Sequence, residues 1–210
     1  MKTKYILKVI YLLVVIQLLR VALKNICFLF IVPTTLANNS FNALFMIFTT
    51  LFILRVMKNY GYNKSLKIKD YKSYLIISAI IVLIGGLSLL IKKSFAFEGI
   101  INLLYYIIVI PIFEEILFRG YLWDRALRIY KNETNTLIVT TLLFALWNIG
   151  YVDTYLIQSI LTNSSFTFSL ILWKVLISLG VGGLAGIIRI KMKNCYGSML
   201  THSLLNIFIR

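Results

Sequence analysis

The chain has 210 residues, 60% of them hydrophobic, with a mean hydropathy of +0.89 and a formal net charge of +15. A soluble domain is about 45–50% apolar, so the composition excludes an ordinary water-soluble enzyme. The basic excess invites nucleic acid as a partner, but no recognition motif accompanies it, and its placement gives it another meaning.

The apolar residues fall in blocks at 9–32, 41–57, 74–91, 99–123, 136–150, 170–188 and 196–209. A membrane helix needs about 20 mostly apolar residues, which the second, third, fourth and sixth blocks supply. Gln17, Arg20, Lys24 and Asn25 interrupt the first block, predicting one long tilted helix or an interfacial one. The fifth block is marginal and the last is short. These runs lack the alternation of barrel strands, and lipid otherwise leaves only helices. The expectation is an all-α polytopic membrane protein with six to seven transmembrane helices.

Lysine and arginine cluster in alternate loops. Lys2, Lys4 and Lys8 precede the first block; Lys58, Lys64, Lys67, Lys69 and Lys72 share one loop. Arg125, Arg128 and Lys131 share another, and Arg189, Lys191 and Lys193 a third. Residues 33–40 carry no charge, and 151–168 carry only Asp153. This positive-inside pattern predicts a multi-pass protein of the cell membrane with a cytoplasmic N-terminus; Lys92 and Lys93 alone fall on the wrong side. The basic loops then serve topology and contact anionic lipid, with no nucleic-acid partner. The lysine-led first block resembles a signal peptide, but no small-x-small cleavage site follows it. Cys27 and Cys195 show neither metal spacing nor a disulfide framework and read as buried or interfacial thiols.

The Lys-rich stretch 58–73 divides the chain. Residues 1–73 read as accessory transmembrane helices with a cytoplasmic loop and no ionisable pair of note; 74–210 read as the functional core. Gly182 and Gly186 have the spacing that lets helices approach closely, and read as packing. Pro111 sits in the fourth block, where it frees a carbonyl and kinks the helix.

Glu114 and Glu115 follow Pro111 inside that block. A carboxylate in lipid costs roughly 2.5–3.5 kcal/mol on insertion scales, so two together point to function. Glu115 and Arg119 are i,i+4 and meet on one helix face. Glu114 points about 100° away, and its i+3 and i+4 positions are the apolar Leu117 and Phe118. One structural and one reactive glutamate is the preferred reading; the bland one is that both merely fix Arg119. His202 is the sole histidine, with Asn206 one turn on. A lone histidine is commonly a core residue, but an intramembrane one near a carboxylate suggests chemistry. Asn148, four after Phe144, alone reads as interhelical hydrogen-bonding glue.

Taken in order, Glu114-Glu115-x-x-x-Arg119, Phe144-x-x-x-Asn148 and His202-x-x-x-Asn206 resemble the three motifs of the CaaX prenyl protease (type II) family, which includes bacterial CPBP or Abi-domain proteins. The first and third motifs match in full. In the second, Asn148 stands where the family has histidine. The resemblance covers about 99–208. It implies an intramembrane endopeptidase with a polar cavity opening toward the cytoplasm. Glu114 would activate a water, with the second-motif residue, His202 and Asn206 binding that water and the oxyanion. A buried glutamate suits the part of general base, and an asparagine amide that of oxyanion donor. The implied substrate is a peptide or membrane protein. Zinc takes His, Cys or carboxylate ligands, and Asn148 removes one of them; a zinc cofactor is therefore possible but disfavoured. Loss of an acid–base group typically costs 10²–10⁴-fold, so the alternative is a non-catalytic binding partner, as in bacteriocin self-immunity. A transporter would carry midplane charges too, but no inverted repeat is present.

Overall fold

The computed structural model describes residues 2–62, 64–67, 71–91, 96–161 and 168–209. Lys69, Lys92, Lys93 and the 162–167 part of the predicted outer loop lie outside them. All elements among the described residues are helical. They are α1 (Lys2–Phe28), α2 (Thr35–Asn59), α3 (Tyr71–Ile91), α4 (Phe97–Tyr130), α5 (Glu133–Ile149), α6 (Val152–Leu161), α7 (Phe168–Met192) and α8 (Tyr196–Ile209). Six spans are long and apolar enough to cross a membrane, α5 and α6 counting as one; with this composition the chain is a multi-pass membrane protein. The 14 residues of α8 rise only about 21 Å at 1.5 Å each, and it packs among α3, α4 and α7.

The interrupted first block forms one continuous helix. Thr34 caps α2 by accepting from the Ala37 amide at 3.1 Å, and Asn132 caps α5 by accepting from Asn135 at 3.0 Å; both satisfy otherwise orphaned N–H groups. Lys131, with φ of 52°, ends α4, so α4 and α5 are joined by Lys131 and Asn132 alone.

Cross-contacts fix how the helix ends align. The Tyr5 hydroxyl donates to the Leu122 carbonyl at 3.2 Å, setting the start of α1 beside the late part of α4. The Asn39 amide donates to Asn102 at 2.9 Å, setting the start of α2 beside the start of α4. Tyr74 on α3 meets Asn194, just after α7, at 2.9 Å. One end of the bundle thus gathers Lys58, Lys72, Arg128, Lys131, Lys191 and Lys193; we term it the basic end. The other gathers the starts of α2, α4 and α7 and the last turn of α8.

Two sequence expectations need correction. Arg189 is buried, not a loop charge: its guanidinium donates to the Ser65 hydroxyl at 2.7 Å and to Asp124 at 3.4 Å. The Ser65 carbonyl also accepts from the Cys195 amide at 2.9 Å, so the Lys-rich loop docks on the core at this point. The front helices also do carry a buried ion cluster. Arg20 on α1 donates to Asp153 on α6 at 2.5 Å, to the Gly150 carbonyl at 2.8 Å and to Asn42 at 3.0 Å. Lys24 pairs with the same Asp153 and donates to Asn38 at 3.1 Å. Both cations are fully buried. Their partner lies far along the chain in a segment that reads as a loop, which is why the sequence hid it.

Candidate active site

The glutamates sit on a short α-helical piece of α4, Ile110–Glu115, bracketed by two wide π-type turns at Tyr105–Val109 and Ile116–Leu122. Such turns concentrate at functional sites. The first has a local cause. The Ile110 amide bonds back to the Tyr105 carbonyl, five residues earlier. The next donor in that pattern, toward Tyr106, would be Pro111, which has no N–H. The Asn206 side chain donates to the Tyr106 carbonyl instead, at 2.9 Å. At the second turn, Arg189 Nε donates to the Arg119 carbonyl at 3.1 Å. The two turns are therefore pinned by side chains from α8 and α7.

The charged centre lies between these pins. Glu114, Glu115, Arg119 and His202 are all buried. Arg119 Nη1 donates to Glu115 Oε1 at 3.3 Å, and Nη2 donates to the Gly182 carbonyl at 2.7 Å. A Cβ on Gly182 would stand 3.0 Å from Phe144 and 3.2 Å from Arg119. Glycine is what lets the α7 backbone reach the guanidinium. Phe144 packs under the same group, 4.6 Å from the guanidinium carbon to the ring centroid, and lies edge-to-face with His202 at 5.8 Å.

His202 joins the two carboxylates. Its Nδ1 lies 3.0 Å from Glu115 Oε1 and its Nε2 lies 3.7 Å from Glu114 Oε2. A carboxylate oxygen that already receives Arg119 accepts from Nδ1–H, which leaves the Nε2 lone pair facing Glu114. At 3.7 Å the second pair is beyond direct hydrogen bonding and suited to a bridging water. Glu115 Oε2 and Arg119 Nε are buried without a hydrogen-bond partner, an arrangement that costs stability.

Asn148 and Asn206 lie at the same place, lining with Glu114, His202, Ser178 and Lys174 a crevice of about 30 Å³, room for roughly two water molecules. Their amides already have work in the fold. Asn148 Nδ2 donates to the Phe144 carbonyl of its own helix at 3.0 Å, and Asn206 to Tyr106. Each retains one further N–H. A second cavity, of about 370 Å³, runs from Glu114 past Tyr106, Asn39, Asn102 and Thr35, with Lys174 on its wall. Sequence reading missed Lys174, which falls in the apolar first half of α7 with no motif around it.

The donor set does not fit zinc. A catalytic zinc site takes three protein ligands, and Glu115 Oε1 is held by Arg119 and His202. Glu114 and His202 Nε2 remain, with an asparagine amide where a third ligand would stand. Among the described residues no three His, Cys, Asp or Glu side chains are grouped to hold a metal.

A family model described as Type II CAAX prenyl endopeptidase Rce1-like matches residues 96–208, a stretch that contains all six of these site residues. Neither a curated protein nor a solved structure matches the chain. Since the matched stretch takes in more than half of its residues, the chain belongs to the Type II CAAX prenyl endopeptidase Rce1-like family.

Proposed function

We propose that the protein is an intramembrane endopeptidase of the cell membrane, its basic loops cytoplasmic, acting on a peptide or membrane protein. The observation that carries this is the position of His202 between two buried glutamates, with one ring nitrogen committed to Glu115 and the other facing Glu114. That arrangement suits one water held by Glu114 and His202 Nε2. Glu114 takes a proton from the water as its oxygen bonds to the scissile carbonyl carbon. The remaining N–H groups of Asn148 and Asn206 are suited to the oxyanion. The proton then passes from Glu114 to the leaving nitrogen as the C–N bond breaks. Glu115 and Arg119 are positioning residues: they fix the His202 tautomer and its plane.

A second reading has its own support. Asn148 stands where the family has histidine and bonds to its own helix, as a residue retained for shape would. A non-catalytic member would use the same cavity to bind a partner, as in bacteriocin self-immunity. Mass spectrometry of a co-expressed candidate peptide in membranes separates the two. Cleavage by the wild type that disappears in Glu114→Gln supports the peptidase. A phenotype that persists in Glu114→Gln, with no cleaved product in either strain, supports binding alone.

A further inference from the structure

We propose that the protein holds one anionic phospholipid in a groove between α1 and α2, an acyl chain lying along the helices and the phosphate on Lys4, Lys8 and Arg125. The site lies apart from the glutamates and goes beyond the peptidase reading.

Sequence spacing makes the groove. Along α2, Phe41, Phe45, Phe48 and Phe52 recur every three or four residues and so share one face. They line a groove of about 800 Å³ that α1 borders from Leu12 to Cys27. Leu117 and Tyr121, from the second wide turn of α4, complete the lining. Membrane helices that approach closely carry small residues at their seam; four phenylalanines hold these two apart. Leu19, Phe48 and Phe52 are exposed, so the groove meets the bilayer along its side. From Leu12 to Cys27 the helix rises about 22 Å. One leaflet holds about 15 Å of hydrocarbon, half of the usual ~30 Å, so a whole acyl chain has room to lie there.

At the basic end the groove turns from apolar to cationic at one level. Lys8 stands one turn before Leu12 on α1, and Arg125 one turn after Tyr121 on α4. With Lys4 and Tyr11 they line a pocket of about 500 Å³ that shares Leu12, Val15 and Tyr121 with the groove. Arg125 is set in place: its Nη1 donates to the Tyr121 hydroxyl at 2.8 Å, and its guanidinium carbon lies 5.9 Å from the centre of the Tyr5 ring. Its other N–H groups suit a phosphate, which a guanidinium meets with paired donors. The carboxylates of the chain do not answer this charge. Glu114, Glu115, Asp124, Glu133 and Asp153 face other basic side chains, and Glu98 lies in the first turn of α4, at the opposite end of that span. Among the described residues no carboxylate pairs with Lys4, Lys8 or Arg125. Three cations at the head of an apolar groove match a phosphodiester on a hydrocarbon tail, and basic clusters beside a membrane attract anionic lipid. A zwitterionic lipid would bring its own ammonium and leave the pocket uncompensated.

Native mass spectrometry of the full-length protein tests the site by titration in detergent with phosphatidylglycerol or phosphatidylcholine of matched acyl chains. The first phosphatidylglycerol should bind more tightly than the first phosphatidylcholine. Lys4→Gln/Lys8→Gln changes two exposed side chains and should weaken that first phosphatidylglycerol about 30-fold, from about fivefold per cation at a membrane surface, with phosphatidylcholine binding unchanged. Leu19→Trp fills the groove from an exposed position and should weaken the same adduct with every cation in place. Glycerol phosphate, the headgroup without a tail, should not compete. Equal affinity for the two lipids, or a double variant that binds phosphatidylglycerol as the wild type does, overturns the proposal and leaves a non-selective lipid belt. Competition by glycerol phosphate as strong as that by the lipid overturns the part given to the groove. A dimer, in place of a lipid adduct, that is lost in Leu19→Trp overturns the proposal and gives the groove to a second copy of the chain.

Discussion

The protein buries two ion clusters, and they are built differently. In Glu115–Arg119–His202 the acid–base pair is local, one turn apart on α4, and a histidine arrives from α8 to meet it. In Arg20–Lys24–Asp153 the pairing is long-range, tying α1 to α6. The front cluster surrounds its two buried cations with asparagine, threonine and carbonyl partners and leaves the Asp153 carboxylate partly exposed. The core cluster leaves Glu114 and one face of His202 turned to a cavity. A buried pair is weak evidence of stability in itself, but breaking one is costly. The contrast teaches that buried charge marks a candidate site where ionisable groups with acid–base chemistry line one cavity, and a structural tie where one carboxylate joins cations across helices.

The sharpest way to break this comparison is to swap the consequences. Glu114→Gln should cost cleavage about 10²–10⁴-fold, the range for a removed acid–base group, while melting in detergent stays near wild type. Near-wild-type cleavage by that variant would sink the role given to Glu114. Asp153→Ala should do the reverse. It leaves two buried cations without their carboxylate, and losing one partner of a buried pair costs about 3–5 kcal/mol. Thermal unfolding of the purified protein should show a large fall for Asp153→Ala and a much smaller one for Asp153→Glu. Equal stability of the alanine variant would mean that the front cluster is hydrated and not structural.

Smaller effects refine the picture. Asn206→Leu removes the donor to the Tyr106 carbonyl, and a buried acceptor left unsatisfied costs about 1–3 kcal/mol. If Asn206 also contacts the reaction, its loss should lower cleavage beyond what the melting shift explains, with Asn206→Asp failing to rescue. Asn148→His restores the family residue and should raise kcat modestly, with little change in the melting point. A fall in kcat would show that the Asn148 bond to Phe144 is part of the working site.

Much of this was legible in the sequence because its causes are local. Block lengths gave the spans, the i,i+4 rule gave Glu115 with Arg119, and Pro111 announced a disturbance in α4. His202 stands beside the glutamates from 87 residues away in the chain, a proximity that no local rule contains. What stayed hidden depends on pairs far apart in the chain. Asp153 reads as a loop residue until α6 brings it to Arg20, and Arg189 reads as a topology charge until it is seen beneath the second wide turn. The proline suggested a kink; the observed answer is a wide turn whose carbonyl is met by Asn206.

The two pinned turns carry a consequence for biosynthesis. The six residues that bear the glutamates behave like an axle held in two bearings, one supplied by Arg189 of α7 and the other by Asn206 of α8. Membrane helices are inserted in chain order, so α4 enters the bilayer well before either bearing has been translated. Until α8 docks, only one of the two pins is in place, and no histidine stands beside Glu114. A ribosome-bound chain halted before Tyr196 would thus hold its glutamates in lipid without a working geometry. On the peptidase reading, α8 would complete the site, because it brings both His202 and Asn206 to the glutamates.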